Sequence, residues 1–258
     1  MLSHHLYTTI AKYTLLEFLR ARVLLFTIVA LLGIVLLAEF TAATSITEAL
    51  ATKGIFYAFI SRLMVVLILT IYICNNIAAE FNEKRAELLL SLPIPRAEYM
   101  LGKLLGYLAV ALLLTSIIGI VALLYATPIA ALYWWLSLSL ELGIVISLCL
   151  FFSLSFRIST VSIGCVLAFY LLARSMGALQ LISGSNIVQT GTLAVQLMES
   201  LLGLIALLLP DLWRFASSDW LVYGTGEISA IGMNIAQAII YMLLINAAAL
   251  FDLYRKNL

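Results

Sequence analysis

Between Lys103 and Glu141 the chain carries no charged side chain. As a single helix this stretch, Leu104 to Leu140, would reach about 55 Å, nearly twice the hydrocarbon thickness of a bilayer. It must therefore turn, and Tyr125-Ala126-Thr127-Pro128 is the place, because proline continues a helix poorly. Two back-to-back membrane spans follow, near 104–125 and 131–156. A water-soluble fold cannot cover such a run. Of the 258 residues 64% are hydrophobic and only 10% are charged, where soluble domains carry about a quarter. The 14 basic and 13 acidic residues nearly cancel, to a net +1. That excludes a global basic field for nucleic acid, and the apolar content excludes disorder. Apolar runs that are continuous rather than alternating argue against a β-barrel.

The same reading places the other spans. Val23 to Ala38 is uncharged and extends past Glu39, giving a first span over 22–42. The second, 55–79, contains Arg62; the fifth, 159–182, contains Arg174; the last, 228–251, is the cleanest. Residues 187–209 are apolar enough to span, yet carry Gln189, Gln196 and Glu199 and end at Pro210-Asp211. The distribution of basic residues decides between six and seven spans. With six spans and a cytoplasmic N-terminus, ten basic residues fall inside, from Lys12 to Lys256. Lys53, Arg62, Arg174 and Arg214 fall outside or in the outer half of a span. A seventh span would put Arg255 and Lys256 outside, so 187–209 is read as re-entrant or interfacial helices on the outer face. The tail, 252–258, is then cytoplasmic.

The first apolar run is preceded by 22 residues carrying four charges, Lys12, Glu17, Arg20 and Arg22, longer than a signal peptide's basic start; residues 1–21 are read as a unit of their own. Leu2, Leu6, Ile10, Tyr13, Leu16 and Leu19 recur at helical spacing, which predicts an interfacial helix. The expected fold is all-α and integral to the membrane.

Catalytic and metal-binding patterns are missing. Cys74, Cys149 and Cys165 fall within expected spans and have no ligand spacing; they read as packing residues. The only histidines are His4 and His5. HExxH, GxSxG and a phosphate-binding GxxxxGK[ST] loop are absent, so the chain has no visible means of hydrolysing ATP and no cofactor of its own.

Residues 80–103 read EFNEKRAELLLSLPIPRAEYMLGK and hold eight of the 27 charged residues. The pattern is a helix, a break at Pro93-Ile94-Pro95, and a second helix. Leu88-Leu89-Leu90 is an apolar cluster able to lie on the membrane or fill a partner's groove. A solvated positive-inside loop would explain the basic residues, but neither the acidic ones nor the two prolines.

This segment resembles the coupling region of ABC-2-type transporter permeases, in which an acidic helix precedes "LLSLPISR-x-E-x-x-x-GK". Here stand Glu87, Leu88-Leu89-Leu90-Ser91-Leu92-Pro93-Ile94-Pro95-Arg96, Glu98 and Gly102-Lys103, with Lys84-Arg85-Ala86 where many members have Gly-Thr. Residues 209–258 are also similar to the small six-span members, among them permeases associated with multicopper-enzyme maturation. The resemblance implies a membrane subunit that pairs with a second copy or a similar chain in the cell's inner or plasma membrane. Cytoplasmic ABC ATPase subunits would bind ATP and Mg below it. Glu80, Glu83, Lys84, Arg85, Glu87, Leu88, Leu89, Pro93, Arg96 and Lys103 would form the contact that couples ATPase closure to transport, in all expectation export. An accessory protein outside the membrane would be a separate chain. Two other readings stand beside it. One is a mechanical subunit working such an outer partner; the other is a stand-alone secondary transporter, for which no internal repeat is visible.

Arg62, Glu141 and Arg174 lie inside expected spans. A charge at the bilayer centre costs at least ~2.5–3.5 kcal/mol, so each needs a partner. Counting helical rise puts Glu141 about 15 Å from the outer end of its span and the two arginines about 10–12 Å deep. All three can meet in the outer leaflet, as an ion-pair network or as a substrate-facing polar site. Tyr133, Trp134 and Trp135 read as an aromatic belt at the interface.

Overall fold

A spanning segment surrounded by hydrocarbon must satisfy its backbone polar groups internally, and each uncharged run closes into a helix. The computed structural model describes residues 6–44, 49–83, 95–156, 158–183, 200, 203, 205, 209–224 and 228–255. Among them the helices are α1 (Leu6–Arg20), α2 (Val23–Thr44), α3 (Ala49–Asn82), α4 (Arg96–Ala122), α5 (Pro128–Phe156), α6 (Ser159–Ser183), α7 (Ser218–Tyr223) and α8 (Ile228–Arg255). A 3₁₀ turn covers Leu212–Arg214. Six of these, α2 to α6 and α8, are long and apolar enough to cross a membrane. The chain is thus an all-helical, multi-pass membrane protein. Apart from residues 200, 203, 205 and 209, the segment 187–209 lies outside the described residues.

Successive crossings alternate in direction. The start of α2 and the end of α8 share one end of the bundle, here the basal end; α7 lies at the other, the distal end. The 34-residue α3 is about 51 Å long and overshoots the hydrocarbon. Helix α4 starts at Arg96, because Pro95 (φ −58°, ψ 132°) fixes an extended residue immediately before it. Arg96, Glu98 and Lys103, expected in the loop before the third span, therefore occupy the first turns of a spanning helix.

Helix α5 is the hub. In its most apolar window 72% of residues are buried, against 22% in α2 and 17% in α8. Small and hydroxyl residues let its neighbours come close. A Cβ on Gly143 would lie 2.8 Å from Met242 Sδ of α8, and Asn246 of α8 donates to Ser147 Oγ at 2.8 Å. Helices α3, α4, α6 and α8 all pack on α5, whereas α2 leans mainly on α3.

Helix α1 packs lengthwise on α4. Gly102 and Gly106, one turn apart, form the seat: a Cβ there would meet Ile10 Cβ at 2.8 Å and Thr14 Cβ at 2.7 Å. This is the small-residue spacing that lets membrane helices touch backbone to backbone. The expected apolar stripe of α1 is split by it. Ile10 turns to α4 while Tyr13 and Leu19 stay exposed, and Thr14 and Phe18 are buried instead.

Candidate functional site

At the basal end two polar ladders face each other. Tyr72, Asn76 and Glu80 recur every four residues on α3, as do Tyr99, Lys103 and Tyr107 on α4. That spacing keeps each set on one face of its helix. Lys103 Nζ forms an ion pair with Glu80 Oε1, and Tyr99 OH donates to Glu80 Oε2 at 2.7 Å. One turn deeper, Tyr107 OH donates to Asn76 Oδ1 at 2.7 Å. Lys103 Nζ also sits 5.8 Å from the Tyr107 ring centroid, and Tyr72 packs edge-on against Tyr107 and Phe18. Glu80 and Lys103 are both buried. Arg96 Nη1 donates to the Leu253 carbonyl at 2.6 Å, tying α4 to the end of α8.

The expected ATPase-contact residues are therefore divided. Glu80 and Lys103 turn into the bundle and satisfy each other. Burial of both charges forces them to pair. Glu83 is exposed at the end of α3. Lys84, Arg85, Glu87, Leu88, Leu89 and Pro93 lie outside the described residues.

The second centre lies in the distal half. Glu141 of α5 is fully buried. Its Oε1 accepts from Tyr170 OH of α6 at 2.8 Å and lies 3.7 Å from Arg174 Nη1. Its Oε2 has no hydrogen-bond partner among the described residues. Arg174 Nη1 donates to the carbonyls of Leu212 and, at 2.8 Å, Phe215. Arg62 Nη1 donates to the Ala216 carbonyl at 2.9 Å, which also accepts from Trp134 Nε1 at 3.2 Å. Ala216 N donates to Ser137 Oγ at 2.9 Å, and Asn234 of α8 reaches the same oxygen at 3.4 Å.

Glu141 and Arg174 pair directly, while Arg62 binds, at Ala216, the same loop as Arg174, an element the sequence did not reveal. Residues 209–217 run into the bundle as irregular backbone around the single 3₁₀ turn Leu212–Arg214, with Leu212, Phe215 and Ala216 fully buried. Irregular backbone at membrane depth is tolerated only where protein groups satisfy it, and the two guanidinium groups do so here. Ala216 sits at φ 44°, a left-handed conformation that L-residues avoid. Three hydrogen bonds to its N–H and carbonyl hold it there. Trp134, expected in an interfacial belt, is instead fully buried as one of those donors. A donor–acceptor need at Trp134 is invisible in a Tyr-Trp-Trp triplet; the four-residue spacing of Tyr99, Lys103 and Tyr107 was the readable signal for the basal ladder.

Cys74 and Cys149 are buried free thiols, and Cys165 is partly buried. Among the described residues no three His, Cys, Asp or Glu side chains gather to hold a metal. No protein-family model and no curated protein matches the chain.

Proposed function

We propose that the chain is the membrane subunit of an ABC-2-type exporter, driven from its basal, cytoplasmic side by separate ATPase subunits that bind ATP and Mg. The observation that carries this reading is the tie between α3 and α4 on either side of the charged connection. Glu80 ends one helix and Lys103 lies in the opening turns of the next, and they are locked together inside the bundle. A force applied to the connection between them is delivered to both spans at once. A solvated loop needs no such brace.

The sequence supports the same reading: ELLLSLPIPR and GK around this brace resemble the coupling pattern of that family. Two copies, or this chain and a similar one, would complete the membrane unit. The test is recovery of the tagged chain from native membranes in mild detergent. An ATPase subunit should accompany it, and Glu83→Ala, Arg85→Ala and Glu87→Ala together should remove that subunit while leaving the chain monodisperse. An isolated chain that transports solute in liposomes without any ATPase would overturn the proposal.

A further inference from the structure

The buried loop 209–217 has a second side. While Leu212, Phe215 and Ala216 point into the bundle, Trp213 and Arg214 point outward into a cavity of about 520 Å³. Asp219 and Trp220 of α7 and Met233 and Asn234 of α8 complete its wall. Its size is that of a small-ligand site. Trp213 lies flat on α6, where a Cβ on Gly177 would come 2.6 Å from the indole Cγ. Arg214 stacks over that indole at 5.2 Å, lies 3.6 Å from Asp211 and contacts Met233 Sδ at 3.3 Å. Asp219 accepts weakly from Ser217 Oγ at 3.4 Å.

One concavity thus offers a guanidinium, a carboxylate and two indoles. Indole faces together with a carboxylate suit an ammonium group, and a guanidinium suits a phosphate. The match is a zwitterion carrying both. The cavity sits beside the first two turns of α8, at the depth where headgroups and interfacial tryptophans meet.

A second observation decides between a free solute and a lipid. Further along α8 lies an apolar furrow of about 260 Å³, bounded by Phe151 and Phe152 of α5, Phe169 of α6, and Tyr241, Leu244 and Ala248 of α8. Helical periodicity puts Ala230, Met233 and Asn234 on the same face of α8 as Tyr241, Leu244 and Ala248. The polar cavity and the apolar furrow are therefore two stations on one stripe. They are separated by about 11 residues, roughly 16 Å, which is the reach from a phospholipid headgroup into its acyl chains.

We infer that this stripe binds a zwitterionic phospholipid, its ammonium–phosphate headgroup between Asp219, Trp220 and Arg214 and an acyl chain in the α5–α6–α8 furrow. The site does not depend on an ATPase. Native mass spectrometry of the detergent-purified chain tests it, using dioleoylphosphatidylethanolamine, dioleoylphosphatidylglycerol and free phosphoethanolamine as probes. The ethanolamine lipid should be retained about tenfold better than the glycerol lipid, the scale of one charge-assisted contact. Asp219→Asn should erase that preference. Ala248→Trp, at an exposed position where added bulk does not threaten folding, should lower retention of both lipids. Equal retention of the two lipids, unmoved by either variant, would mean unselective boundary lipid and would overturn the inference. So would free phosphoethanolamine displacing the lipid while Ala248→Trp had no effect, which would make this a solute site.

Discussion

The two buried charge centres solve the same problem in opposite ways. At the basal end, Glu80 is closed by Lys103 on one oxygen and Tyr99 on the other, all between two regular helices. At the distal end, Arg62 and Arg174 direct their donors to the backbone carbonyls of an irregular loop, and one Glu141 oxygen has no hydrogen bond among the described residues. The basal centre is a strut between side chains. The distal centre is a clamp on a peptide segment, and it holds that segment in a conformation alanine does not favour. A strut transmits displacement between helices. A clamp fixes the shape of what it grips, here the wall of the distal cavity.

The comparison predicts unequal costs for removing one partner. Arg174→Leu should be the most damaging change, about 3–5 kcal/mol, because it leaves Glu141 buried without the cation 3.7 Å away and takes the donor from the Phe215 carbonyl. The loss of monodisperse protein on heating in detergent measures it. Lys103→Met should cost less, about 2–3 kcal/mol, since each carboxylate keeps its tyrosine donor but Lys103, unlike Arg174, holds no loop carbonyl. If both cost the same, the distinction between clamp and strut collapses.

Gly102→Val tests the brace that α1 lends the basal end. A side chain there meets Ile10 and should cost about 1–3 kcal/mol by overpacking, read as a lowered midpoint of thermal unfolding. The smallest effect is expected at the clamp itself. Ala216→Gly relieves the left-handed backbone but adds chain entropy to the unfolded state, for a net gain of about 0.5 kcal/mol. A loss at that position would mean that the alanine methyl, fully buried, contributes more through packing than its conformation costs.

Glu141→Gln sharpens the comparison from the functional side. Glutamine still accepts from Tyr170, so folding should survive. Transport lost in a well-folded protein would make the distal centre a substrate-facing site, and transport retained would leave it a clamp.

What could be read from the sequence differed between the two centres for physical reasons. Bilayer thickness makes span positions legible, because a charge-free run of known rise has few places to turn; Tyr125-Ala126-Thr127-Pro128 was one. The same rise brought Arg62, Glu141 and Arg174 to one level. What they grip was not legible. Leu209 to Ser217 holds Pro210, Asp211 and Arg214 among apolar residues, and nothing in its residue types shows that its carbonyls enter the bundle. The basal ladder was hidden for the opposite reason. Glu80 and Lys103 stand in a strongly charged stretch and look like surface. Only their four-residue spacing from Asn76, Tyr99 and Tyr107 marks them as facing helices.

The central claim is that motion entering between Glu83 and Pro95 reaches the membrane helices through the Glu80–Lys103 strut. The most direct test is a spin-label distance across the distal end, between Leu124→Cys and Ile235→Cys, both at exposed positions, in the chain assembled with the proposed ATPase. Glu80→Met with Lys103→Met replaces the strut by apolar side chains of similar length, a change that buried ion pairs tolerate in stability. Adding ATP should shift the distance in the chain with its strut and leave it unchanged in the double variant, although the ATPase stays bound. An equal shift in both would contradict the account.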